Sequence, residues 1–221
     1  MSRMSQISTW LLSGLLMVTT ITVAQDSTIQ YLFMGHTYQN GSDGSKVDYR
    51  LEELEMSAYE GIWLGGDVCS EAMLDYSTVQ YIDSLFDLGN PETHWAMGNH
   101  DARNGNWEWY EEFTNRETFY TYSSYGITRM IMNTNLVPTD CEKMNAQYQM
   151  IIDACDTVQS GNTLLLLMHH GIWISLPGCP QPWSYAQSNL KHWNSNCYDV
   201  NSGFKESIYP KLVEAYNRGV N

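Results

Sequence analysis

Basic residues are scarce in this chain. Lys and Arg number 11 against 25 Asp and Glu, giving a formal charge of −14. Such a field repels DNA, RNA and anionic lipid, so nucleic-acid binding is not expected. Cysteine is also sparse. The five present form no C-x-x-C pair, which excludes a disulfide-scaffold mini-protein and a zinc ribbon. Long apolar runs are missing beyond the N-terminal segment, and none nears the roughly 18 residues of a membrane span. The loop at residues 40–45 (NGSDGS) lacks the length and the following helix of a phosphate loop. Charged residues make up only 16% of the chain, while Trp (8) and Tyr (15) are plentiful. That balance fits neither a disordered chain nor a coiled coil. The length of 221 residues suffices for one domain with a sizeable core.

Residues 1–24 read as a secretory signal peptide. Arg3 supplies the positive start, residues 10–23 are apolar and uncharged, and Thr22 and Ala24 are small residues placed for cleavage before Gln25. The expectation is an exported protein, periplasmic or extracellular, with its domain at residues 25–221 and no membrane span after cleavage. In an oxidising compartment cysteines can pair. Cys179 and Cys197 bracket a polar loop and are the first candidate pair. Cys141 with Cys155 is the second, which leaves Cys69 odd.

Several short apolar runs each stop at a Gly or a polar cluster. Tyr31-Leu32-Phe33-Met34 ends at Gly35-His36, and Ile62-Trp63-Leu64 ends at Gly65-Gly66-Asp67. His94-Trp95-Ala96-Met97 ends at Gly98-Asn99-His100-Asp101. Met130-Ile131-Met132 ends at Asn133-Thr134-Asn135, and residues 164–168 end at His169-His170. These read as strands buried on both faces. Helical spacing of apolar residues predicts helices over 47–59, 74–88, 146–158 and 210–216, the last opened by Pro210. The alternation predicts an α/β fold.

The polar clusters carry the chemistry. They fall just past the C-terminal ends of strands, where binding sites collect in open α/β sheets. His36, Asp67, Asn99, His100, Asp101, His169 and His170 would meet there. Imidazole, carboxylate and amide groups form the ligand set of Zn, Fe and Mn. A carboxylate such as Asp67 can bridge two cations. Two ions about 3.5–4 Å apart can clamp a phosphoryl group, and a His free of metal can protonate a leaving oxygen.

In this order, Gly66-Asp67, Gly98-Asn99-His100-Asp101 and His169-His170, each after an apolar strand, resemble the motifs of the calcineurin-like metallophosphoesterases. The resemblance spans residues 29–220. It implies a four-layer α/β/β/α sandwich, here lacking its last strands, and two divalent transition metal ions (Mn, Fe or Zn). It also implies hydrolysis of small phosphomono- or phosphodiesters by a metal-bound hydroxide. By the same resemblance the metal ligands are His36, Asp67 (bridging), Asn99 and His169. His100 is the general acid, Asp101 the carboxylate that orients it, and His170 shapes the pocket.

The chain departs from the family pattern twice. Met34 stands where the first motif, D-x-H, carries Asp, and thioether is a poor ligand for a hard cation. Gln39, Asp43 or Glu71 would have to replace it. The closing G-H-x-H motif is absent, so either the sequence is a C-terminally incomplete piece or the site is crippled. The alternative function is therefore a catalytically inactive binding module on the same fold. His94 is expected to be structural. The aromatic segment 172–202 either recognises substrate or simply packs.

Overall fold

The computed structural model describes residues 28–41, 43–136, 140–173, 176 and 203–221. The signal-peptide segment, the Cys179–Cys197 pair and most of segment 172–202 lie outside them. The described residues fold as α/β with two three-stranded sheets. Among the described residues no helix is long and apolar enough to cross a membrane.

The first sheet holds β1 (Tyr31–Met34), β2 (Gly61–Leu64) and β3 (His94–Trp95), all parallel and in that order. Parallel neighbours need crossover connections. α1 (Tyr49–Glu52) lies in the first, and α2 (Tyr76–Phe86) forms the second. β2 is buried along its whole length. β1, at the end of the strand order, departs from the expected two-sided burial, and Phe33 is 62% exposed.

α2 is built as its sequence requires. The Asp75 side chain accepts from the Ser77 amide at 2.9 Å and caps its start. Thr78, Val79, Ile82 and Phe86, spaced for one helical face, are buried. Asp87, in the left-handed region, ends it. The helix expected over 47–59 shrinks to α1 and a 3₁₀ turn at Met56–Ala58, because neither buries a residue and short helices need packing to persist.

After β3 come α3 (Asn99–Ala102) and α4 (Trp107–Thr114). The second sheet pairs β4 (Tyr120–Ser124) antiparallel to β5 (Ile127–Ile131), and β5 parallel to β6 (Thr163–Leu167). Residues Tyr125 and Gly126, both at positive φ, make the two-residue hairpin turn between β4 and β5. α5 (Cys141–Thr157) crosses from β5 to β6. It starts earlier than its apolar pattern suggests because Asp140 accepts from the Lys143 amide. A π-helical turn (Phe204–Ile208) runs into α6 (Tyr209–Asn217). Cys141 is disulfide-bonded, whereas Cys155 and Cys69 are free and buried. The expected Cys141–Cys155 pair does not form.

Three apolar clusters of described residues separate these elements. In the first, Ile62, Leu64 and Trp95 pack with Val79, Ile82 and Phe86 of α2 and Tyr110 of α4. In the second, Trp63 and Ala96 of the first sheet side meet Ile131 and Leu167 of the second. In the third, Met130 and Met132 pack with Tyr148 and Ile151 of α5 and Ala215 of α6. A polar pair is set between the sheets. Arg129, fully buried on β5, lies 3.3 Å from Glu92 and within 5.0 Å of the Trp63 and Tyr31 rings.

Candidate metal centre

The loops after β1 and β2 run side by side beyond the strands. The His36 amide donates to the Gly66 carbonyl at 2.9 Å, and the Thr37 amide to the Asp67 carbonyl at 3.1 Å. Both His36 and Asp67 take left-handed backbone conformations, φ 53° and 54°. That region is costly for most side chains but less so for His and Asp, and such strain clusters at functional sites. Gly66 has no such choice. Its φ is +88°, and a Cβ there would lie 2.6 Å from the Gly98 nitrogen and His169 Nδ1.

Asp101 holds the turn from beneath. Its Oδ2 accepts from the amides of Asp67 (2.8 Å) and Gly98 (2.8 Å) and from Trp95 Nε1 (3.1 Å), and its Oδ1 accepts from the Val68 amide (2.9 Å). Burial pushes the carboxyl up to about 7, against the Gly98 amide, which favours the ionised form. The expected contact with His100 is not made. His100 Nδ1 instead lies 3.2 Å from both the hydroxyl and the carbonyl oxygen of Ser70. Asp101 has spent both oxygens on the loop that carries Asp67, so its place is that of a strut.

The Asp67 carboxylate faces two ways. Its Oδ2 lies 3.3 Å from His36 Nε2. Its Oδ1 lies 3.5 Å from His169 Nε2 and accepts from the His100 amide at 3.0 Å. His169 Nε2 is in turn 3.3 Å from Asn99 Oδ1. His169 Nδ1 donates to the Gly65 carbonyl at 3.0 Å, which leaves Nε2 with its lone pair, the arrangement of a metal-binding imidazole. Burial holds the His169 imidazole below its ordinary pKa, opposed by Asp67, and neutral imidazole is the ligating form.

These spacings suit a cation better than hydrogen bonds. N···O distances of 3.3–3.5 Å are long for direct bonds. Bonds of about 2.0–2.1 Å to a tetrahedral ion would set neighbouring ligand atoms about 3.3–3.4 Å apart. His36, Asp67 and His169 form a group whose ligand atoms all lie within 4.8 Å of one another and could hold a metal ion.

The strands of one sheet do not assemble this group. His36, Asp67 and Asn99 follow β1, β2 and β3, while His169 follows β6 of the other sheet. Two of the proposed stand-ins for the missing acid, Asp43 and Glu71, stay out of it. Asp43 is occupied by Ser45, and Glu71 by Arg103 and Asn104. Met34 packs against the cluster beneath α2. His170 sits behind His169, with Nδ1 2.7 Å from Thr134 Oγ1. His94, buried between the sheets, is 3.0 Å from the Tyr120 hydroxyl and away from the group, as expected of a structural residue. Cys69 is fully buried and its thiol is pushed up to about 12 by burial, which suits no nucleophile.

Sequence reasoning missed three supports. Ser70 engages His100, and no pattern marked it. Tyr38 stacks on His100, with ring centroids 5.3 Å apart and planes at 17°. Asn135 donates to the Met97 carbonyl at 2.8 Å and so ties the end of β5 to the loop bearing Asn99. The polar triplet Asn133-Thr134-Asn135 was its only signal. Comparison of the chain with protein-family models and with curated proteins finds no match.

Proposed function

We propose that this chain is an exported, metal-dependent hydrolase of small phosphate esters. The observation that carries the reading is the paired spacing around Asp67, with one carboxylate oxygen beside His36 and the other beside His169 and Asn99. His36, Asp67, Asn99 and His169 would hold two divalent ions (Mn, Fe or Zn). Ions there supply Lewis acidity toward a phosphoryl oxygen and lower the pKa of water. The Asn99 amide contributes its oxygen and keeps two N–H donors for phosphate. His100, oriented by the Ser70 carbonyl, protonates the leaving oxygen through Nε2. Asp101 positions Asp67.

Two further features support the reading. The three apolar clusters, one between the sheets and one under the helices on each outer side, fit a four-layer α/β/β/α sandwich of the calcineurin-like metallophosphoesterase type. The disulfide at Cys141 fits an oxidising compartment and hence export through residues 1–24.

The second reading is an inactive binding module. Met34, packed as an apolar residue where the family carries an acid, favours it. Metal titration with a hydrolysis assay separates the two. The chelator-stripped chain should regain Zn or Mn and cleave p-nitrophenyl phosphate or its bis-ester in a chelator-sensitive way. His100→Gln should lower kcat by about 10²–10⁴-fold, the scale of general acid catalysis, while keeping its metal. Metal uptake without turnover selects the binding module, and absence of metal uptake defeats the hydrolase.

A further inference from the structure

A pocket of 610 Å³ opens beside the metal centre and shares His36 with it. It lies between the turn after β1 and the residues of α1. One wall is apolar, made by Met34, Leu51 and Leu54. Leu54 is 41% exposed there and so presents apolar surface to the pocket. Tyr38 also lines the pocket, and its ring lies 6.3 Å from that of His36 and is stacked on His100. Tyr38 thus bridges the metal side of the site and the imidazole assigned as acid. Two fixed charges line the pocket, Asp48 and Arg50, and they cancel. Arg50 grips both Asp48 oxygens at 2.8 and 2.7 Å. Among the described lining residues no lone cation is left for a second phosphate or a carboxylate, and no lone anion for an amine.

We propose that this pocket receives the organic arm of the phosphate ester, and that the arm is an uncharged alkyl or aryl group. This rests on the reading of the adjoining centre as a phosphoesterase. An ester oxygen within reach of His100 has Tyr38 next to it, and its substituent runs along that ring toward Leu51 and Leu54. Met34 then has a positive role. The residue that withholds an anionic ligand from the centre supplies the apolar wall of the substrate site. Burying the arm removes apolar surface from water on both partners, the general source of affinity for such groups.

The test uses the whole chain with a fixed saturating concentration of Zn²⁺. Calorimetric titration with ethyl-, butyl- and hexylphosphonate reads binding without turnover, and the matching alkyl phosphates, whose leaving groups differ little in acidity, read kcat/KM. The affinity should rise two- to fourfold per methylene, the upper figure matching about 0.8 kcal/mol per fully buried CH₂. Leu54→Asn, at a half-exposed site that does not threaten folding, should flatten the series, with bound zinc unchanged by elemental analysis. An affinity independent of chain length, or a slope that survives Leu54→Asn, overturns the assignment. A length-dependent affinity with no hydrolysis of any ester upholds the pocket and defeats the phosphoesterase reading. Hydrolysis of all esters at equal kcat/KM does the reverse.

Discussion

Single residues here are constrained by what stands within a few ångströms of them. Gly98 has an ordinary extended backbone (φ −84°, ψ 176°), so φ does not demand glycine. Proximity does, because a Cβ there would overlap the Asp67 carboxylate and amide. Gly98→Ala should therefore lower metal affinity about 10–100-fold, as losses of support around ligands do. Gly89→Ala, whose Cβ would meet only the Phe113 carbonyl oxygen at 3.7 Å, serves as the control in the same titration. Arg129 and Glu92 give a second residue-scale case. Arg129 is fully buried, while the Glu92 side chain keeps 11% of its surface in water. Glu92→Gln leaves an uncompensated buried guanidinium and should cost about 3–5 kcal/mol in denaturant unfolding. Arg129→Met should cost less, because it puts an apolar chain against Trp63 and Tyr31 and leaves the better-solvated partner behind.

The elements differ in how much of their stability is local. α2 has both a cap and a buried face, and the two can be weighed. Asp75→Ala removes the cap and should cost about 1 kcal/mol, whereas Ile82→Ala empties a fully buried position and should cost about 2–5 kcal/mol. Equal losses in urea titrations would mean that α2 does not depend on its packed face. The same contrast explains which elements were legible beforehand. The residues of β1, β2, β6 and α2 carry an apolar pattern strong enough to place them. β4 was missed because Tyr, Thr and Ser alternate half-buried with exposed and form no apolar run. Its hairpin turn hides behind Tyr125, which takes a positive φ more often filled by Asn or Gly. The helix expected over 47–59 failed for the opposite reason, since an apolar pattern was present but Leu51 and Met56 are only half-buried against the cluster beneath α2 and neither short element buries a residue fully.

At the scale of the whole molecule, the contact of the two sheets sets the response to acid. His94 lies between them with Nε2 unbonded, and burial, then Arg129 and Arg116, depress its pKa to about 3. The folded state therefore keeps His94 neutral while the unfolded chain takes up a proton below about 6.5. The stability so gained is full above pH 6.5 and is lost as pH falls toward 3, with a slope approaching about 1.4 kcal/mol per pH unit. The difference in unfolding free energy between wild type and His94→Gln should shrink from pH 7 to pH 5. A difference that stays constant over that range would show that His94 titrates normally.

The amino-acid sequence by itself determined the α/β class, most of the strands and the polar residues that end them. It could do so because burial and backbone propensity act on near neighbours and leave a periodic trace. It marked His36, Asp67, Asn99, His100, Asp101, His169 and His170 by residue type and position after a strand. Only the tertiary structure decided that His169 arrives from a different sheet, that Ser70 and not Asp101 engages His100, and that Asp101 braces the Asp67 turn. Those contacts join residues tens of positions apart. Hydrogen bonds of a few ångströms between distant loops depend on how two sheets pack, and that distance leaves no period in the chain.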